Sequence, residues 1–390
     1  MSLLLEWISF HETPFRSDAL NLRRDATAFV LVPEWRRGIS IRAEDSVAAY
    51  AIESVQGRTI RIAAEFRNLN PMVATVQVRA VALRSGFALP VLGDVTPRSV
   101  AFGSGPLSGP QVFELSGPAL AATGVGVHRV DWRWECRASF LDPWQPFAES
   151  QHRIFVTLRL PTAPWHQVPY TPFNTQLPWS SVLEHACAWA QGAQTIEEAA
   201  SRITRAVYAL GETVVSYDCP GLGSTHYTRY APAAIFECSE FLELLAGGPG
   251  NGALINCVDC AAITSTFANI LGADLWQSGM FSADGALFAL NPILAIGSNV
   301  WQPACGWPGF GYHEVAWEGA CGAGQDVYDA CLRVNGGPDP ARPPRVPLLP
   351  RNMRFDDAGG GQYRDRLCTL AGQLHCLPQP GTTRQRRPVV

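Results

Sequence analysis

The sequence predicts an α+β protein in two folded parts, an all-β N-terminal sandwich and a mixed C-terminal domain built around one helix. Three observations carry that expectation. Apolar and polar residues alternate with period two in several runs within residues 1–162, the mark of half-buried strands. A helix signposted at both ends covers residues 256–272 and places a thiol, Cys257, in its first turn. Beyond it lie two strand-like runs, one carrying His313 and the other Asp326 and Asp329. With 390 residues, 47% hydrophobic and 16% charged, the chain has enough apolar surface for two or three cores.

In the β domain, Ile60, Ile62, Ala64 and Phe66 share one face of a strand. Val130, Trp132, Trp134, Cys136 and Ala138 alternate with charged residues, and Ile154, Val156, Leu158 and Leu160 alternate with Phe155, Thr157 and Arg159. Gly and Pro turns such as residues 103–110 separate these runs, so an Ig-like sandwich is expected over residues 1–162. Tryptophans at period two are expected in its core rather than in a carbohydrate or peptide groove. A Pro-rich linker over residues 160–179 follows, and the sandwich is the expected surface for any protein partner.

The helix has its own logic. Asn256 is an N-cap, Asp259 occupies the capping-box position, and Gly272 follows the last apolar residue as a terminating glycine. Cys257, Cys260, Ala261, Thr264, Phe267, Ala268 and Leu271 recur at helical spacing, which predicts one buried face. Cys257 then sits at the positive end of the helix dipole, where a thiolate is favoured. A second helix is expected over residues 196–210, with Ile196, Ala199, Ala200, Ile203, Val207 and Leu210 on one side.

A thiolate needs a base and a group that orients the base. Residues 310–317 read as a strand bearing His313. After a Gly-rich turn, residues 325–334 read as a second strand bearing Asp326 and Asp329. Antiparallel neighbours of this kind bring a carboxylate beside the imidazole, and the two acids compete for the place. Cys257 and Cys260 also form a C-x-x-C pair. A structural zinc site needs a second pair, which the scattered Cys305, Cys321 and Cys331 do not supply, and a thioredoxin-like site belongs early in a compact βαβ domain. Cys260 is therefore expected as a buried neighbour one turn along.

Cys257, Asp259 and Ala261 in a helix ending at Leu271 and Gly272, followed by a His strand and an Asp strand, resemble the core of the transglutaminase-like (papain-like) superfamily over residues 175–335. The resemblance places a catalytic domain at residues 163–337. It implies Cys257 as nucleophile, His313 as base and Asp329 as orienting acid, with Asp326 as the rival acid. His313 is followed by Glu314, Val315, Ala316 and Trp317 instead of an immediate Ala-Trp, and Asp329 by Ala330 and Cys331. The reaction so implied is acyl transfer from a peptide or glutamine amide through a thioester. The backbone N–H of Cys257 is one oxyanion donor, and Tyr217, His226 and Tyr227 are candidates for the second. Hydrolysis is the expected outcome; transamidation and a catalytically degenerate binding scaffold are the competing readings. No calcium-type carboxylate loop is visible, and no metal or cofactor is expected.

The net charge of −4 and the Arg residues, dispersed apart from the end, indicate neither nucleic acid nor an anionic membrane and name no partner; a protein or peptide substrate is what the resemblance implies. All 30 basic residues are Arg, in keeping with a GC-rich bacterial genome; freedom from self-modification at lysine is the sharper alternative. The N-terminus lacks a signal-peptide pattern and no stretch is apolar enough to span a bilayer. The chain thus reads as cytoplasmic, with export by a dedicated machine left open. Eleven irregularly spaced cysteines fit reduced thiols better than a disulfide framework. Residues 338–390, rich in Pro, Gly and Arg, read as an extended, wrapping tail with one ordered piece over residues 363–377.

Overall fold

The computed structural model describes residues 3–11, 18–70, 72–83, 90–168, 176–282, 284–334, 353–356, 358 and 360–390. The chain is mixed α+β and divides into two compact units, residues 1–160 with 167–194, and residues 161–166 with 195–390.

In the first unit nine strands form one hydrogen-bonded sheet in the order Trp35–Arg36, Leu3–Ser9, Arg61–Asn68, Gln111–Ser116, Asp94–Ala101, Thr75–Ala82, Gly126–Arg137, Gln145–Thr157, Val47–Ala51. All pairs are antiparallel except the last. Arg61–Asn68 and Gly126–Arg137 stand four places apart, about 19 Å in a flat sheet. Yet the rings of Phe66 and Trp134 meet at 5.6 Å, so the sheet curls back over its own core. Trp132 and Trp134 are fully buried there, with their N–H groups on the Gly93 carbonyl and the Ser150 hydroxyl at 3.0 Å each. Phe155, on the face the alternation leaves for solvent, is buried as well. The helix Ser180–Trp189 packs on its strand and on Gly126–Arg137.

The second unit centres on the helix Cys257–Asn269. It packs on the helix Ile196–Ala209 and on the strands Leu275–Phe281 and Tyr312–Glu318. The five-stranded sheet runs Met353–Arg354, Asp326–Tyr328, Tyr312–Glu318, Leu275–Phe281, Leu377–Pro378, antiparallel throughout. Ile196–Ala209 starts where Thr195 accepts the N–H of Glu198 at 3.1 Å, and buries Ala199, Ala200, Ile203 and Val207 as the periodicity requires.

Three expectations are corrected. The helix Cys257–Asn269 is buried on every side, not on one; its Ser265 is accommodated because the hydroxyl bonds to the Ala261 carbonyl at 2.7 Å and receives the Gln277 amide at 2.8 Å. The continuous strand expected over residues 325–334 is broken into Asp326–Tyr328 and Leu332–Val334. Asp329 causes the break by folding its carboxylate back onto the N–H groups of Cys331 and Leu332, at 2.7 and 3.1 Å. The cysteines are not all free thiols, since Cys219 and Cys305 form a disulfide across 86 positions.

The C-terminal segment is part of the second unit: Met353–Arg354 and Leu377–Pro378 form its two sheet edges, and the ordered piece consists of the short helices Tyr363–Leu367 and Leu370–Gln373. The Pro-rich run over residues 338–350 and part of the linker lie outside the described residues. Among the described residues no helix is long and apolar enough to cross a membrane.

Candidate active site

The start of the helix Cys257–Asn269 is locked by local hydrogen bonds. Asn256 accepts the Asp259 N–H at 3.0 Å, and Asp259 reciprocates on the Asn256 N–H at 3.3 Å, completing the capping box. Asp259 also accepts the backbone N–H groups of His226 at 2.9 Å and Tyr227 at 3.0 Å. Burial raises its carboxyl above the usual range, and these N–H groups pull against that rise. The acid is therefore a strut between the helix and the neighbouring loop. Cys257, the first helical residue, is only 6% exposed.

His313 stands on Tyr312–Glu318, opposite Met280. Its ring is fully buried and stacked by Phe310, with centroids 5.6 Å apart and 21° between planes. Nε2 lies 3.0 Å from Oδ2 of Asp329. Nδ1 has no hydrogen-bonding partner of good geometry, yet the Cys257 side chain is close enough to act on the ring both by hydrogen bonding and by charge. Burial disfavours the imidazolium, but the charge and hydrogen bond of Asp329, assisted by Cys257, outweigh it and raise the imidazole to about 10. The imidazole is thus addressed by the acid at one nitrogen and by the thiol as its other close neighbour.

Asp329 is held on both oxygens. Oδ1 takes the two backbone N–H groups that break the strand, and Oδ2 takes His313 and the Tyr363 hydroxyl, the latter at 2.6 Å. The rival acid, Asp326, lies at the start of its strand, where its charge acts on Glu318 and Tyr328, away from this cluster. Cys260 is buried beside Cys331, and burial pushes both thiols up.

Of the three candidates for a second oxyanion donor, two are committed elsewhere. His226 contacts Asp218 at 3.2 Å, and the Tyr227 hydroxyl donates to the Gly252 carbonyl at 2.6 Å. Tyr217 remains: burial pushes its phenol up, and the Cys257 charge adds to the rise. Its ring begins an aromatic wall that continues through Trp307 at 6.3 Å and Phe310 at 6.4 Å to His313. The Cys219–Cys305 disulfide ties the segment bearing Tyr217 to the one bearing Trp307.

On the more open side stand Tyr230 and Tyr312, 52% and 38% exposed; burial and the Glu314 charge push both phenols up, with a smaller contribution from Cys257. The Tyr312 hydroxyl donates to Glu314, whose carboxylate is in turn paired with the buried Arg387. A cavity of about 1010 Å³ lined by Leu290, Trp301, Asp365 and Leu370 touches none of Cys257, His313 and Asp329; a smaller one of about 270 Å³ reaches Tyr217. Among the described residues no group of three or more His, Cys, Asp or Glu side chains is arranged to hold a metal.

Sequence reasoning missed Tyr363, Phe310 and Trp307 as members of the site. Phe310 lay on the strand already assigned to His313, so its position three residues upstream was the available signal. Tyr363 carried none, being 34 positions from its partner.

No protein-family model matches the chain, and no curated protein sequence matches it. Among solved structures it is similar to a red sea bream transglutaminase, at 10% identity and a TM-score of 0.37, covering 80% of this chain and 53% of that one. The chain thus spans about half the length of that transglutaminase.

Proposed function

We propose that the second unit is a transglutaminase-like cysteine enzyme that attacks peptide or glutamine amides, with Cys257 as nucleophile, His313 as acid and base, and Asp329 as the orienting carboxylate. One observation carries this reading: a fully buried imidazole held by Asp329 through Nε2 at 3.0 Å, with the first-turn thiol of a capped helix acting on the same ring.

The steps follow from the proton's place. With the imidazole raised to about 10, His313 carries a proton at neutral pH, and the mechanism assigns the thiolate form to the Cys257 sulfur that attacks. The thiolate attacks the amide carbon, and the carbonyl electrons move to oxygen. The Cys257 N–H and the Tyr217 hydroxyl are the donors assigned to that oxyanion. As the intermediate collapses, the C–N bond breaks and His313 gives its proton to the leaving amine, leaving a thioester. His313, now neutral, takes a proton from the second nucleophile, and the thioester opens with sulfur leaving as thiolate. Asp329 keeps the ring in the tautomer and orientation both transfers need.

We assign water as the second nucleophile, making the enzyme a cysteine peptidase-like hydrolase. An amine acceptor in its place would make it a transamidase. The absence of lysine from all 30 basic residues is the observation that favours this second reading, since such a chain offers no side-chain amine to its own thioester. The N-terminal unit is read as an Ig-like module that engages a protein partner. Incubating the protein with a peptide library and a labelled primary amine tests the assignment. Cleavage or deamidation outrunning amine incorporation supports the hydrolase, the reverse supports the transamidase, and neither product supports a degenerate scaffold.

A further inference from the structure

We propose that Tyr363, from the C-terminal segment, is a positioning residue of the active site: its hydroxyl fixes the Asp329 carboxylate and shares that charge with His313. The inference rests on the catalytic reading of Cys257, His313 and Asp329. Tyr363 is 3% exposed and donates to Oδ2 at 2.6 Å, the oxygen that also faces His313 Nε2 at 3.0 Å. With two backbone N–H groups on Oδ1, the carboxylate then has four donors and cannot rotate without breaking at least two contacts.

The phenol is itself held in place. Its ring packs at 6.4 Å on Phe355, which lies 4.9 Å from Trp317 on the strand that carries His313. The helix Tyr363–Leu367 is tied at its start by the Arg364 N–H on the Phe355 carbonyl at 2.9 Å. At its end the backbone and side chain of Asn291 donate to the carbonyls of Leu367 and Cys368, at 2.9 and 2.8 Å. The titratable groups facing this cluster are Cys257 and Cys260 from the central helix, Tyr208 from the helix Ile196–Ala209, Cys331, Tyr217 and Cys376.

An oxygen relieved of one donor holds the imidazolium proton more tightly, because the full carboxylate charge then falls on His313. Alkylation of Cys257 by iodoacetate, an anion whose approach is favoured by the imidazolium, followed against pH by peptide mass mapping, reads this without a known substrate. Tyr363→Phe should move the alkaline limb of the profile, where His313 loses its proton, up by about one pH unit. Site-specific 3-fluorotyrosine at 363, a stronger donor, should move it down. In an Asp329→Asn background Tyr363→Phe should move nothing, since its route to His313 is gone. An alkaline limb unmoved by both changes at 363, or moved equally in the Asp329→Asn background, overturns the proposal. The parent reading fails separately, if the wild-type profile does not respond to His313→Ala or Asp329→Asn.

Discussion

Nε2 of His313 lies 3.0 Å from Oδ2 of Asp329, and both side chains are buried. The ion pair so formed ties stability to pH. The imidazole is raised in the folded protein to about 10, above its ordinary unfolded value of about 6.5. The stability it contributes is therefore fully present below about pH 6.5 and is lost as pH rises through about 10. Urea unfolding at a series of pH values should show the wild type losing its advantage over His313→Gln across that window. Parallel curves for the two proteins would contradict the ion pair.

Cys257 should be the most reactive of the free thiols, because it alone combines a capped helix start with a buried imidazolium. Iodoacetamide near pH 6 should modify it first and abolish activity. Cys257→Ala should do the same, while Cys260→Ser, altering a buried neighbour, should leave activity within a few-fold of wild type. Preferential labelling of Cys260 is the result that defeats the assignment.

The two acids make opposite predictions. Asp329→Asn should lower the rate by orders of magnitude, about 10⁴-fold at the extreme set by a triad acid that fixes the wrong tautomer. Asp326→Asn should change it little, since that charge acts on Glu318 and Tyr328. Steady-state rates of the two variants decide, and a larger loss at Asp326 reverses the choice.

What the sequence revealed of this site was local. The capping box joins residues three apart, so Asn256 and Asp259 announce the helix start before any tertiary structure is known. Contacts made at long range left no such mark. The choice between Asp326 and Asp329 turns on a strand break created by Asp329's own carboxylate, and Tyr363 reaches it from a segment that composition alone marks as a tail. The helix around Cys257 was expected to bury one face; Asp259 and Asn269, off that face, are buried because their side chains are hydrogen-bonded inside the core. In the β unit, period-two alternation identified the core tryptophans, but not the helix Ser180–Trp189 that packs on the strand carrying the buried Phe155.

Glu314 and Arg387 form a second test of the C-terminal segment. Both are 3% exposed and paired at 2.5 and 3.0 Å. Removing one partner leaves a buried charge alone, so Glu314→Gln or Arg387→Met should each destabilise by about 3–5 kcal/mol, whereas the double variant should cost clearly less than the two single losses added together. Chemical denaturation of the four proteins gives the coupling, and strict additivity would show that the pair does not act as a unit.

The central claim is an acyl-thioester on Cys257. Quenching the protein in acid during turnover of a peptide library, then mapping the peptides by mass, tests it most directly. The expected result is an acyl adduct on Cys257 that is absent from Cys257→Ala and strongly reduced in His313→Ala. Turnover persisting in Cys257→Ala, or an adduct carried by another residue, would contradict the account.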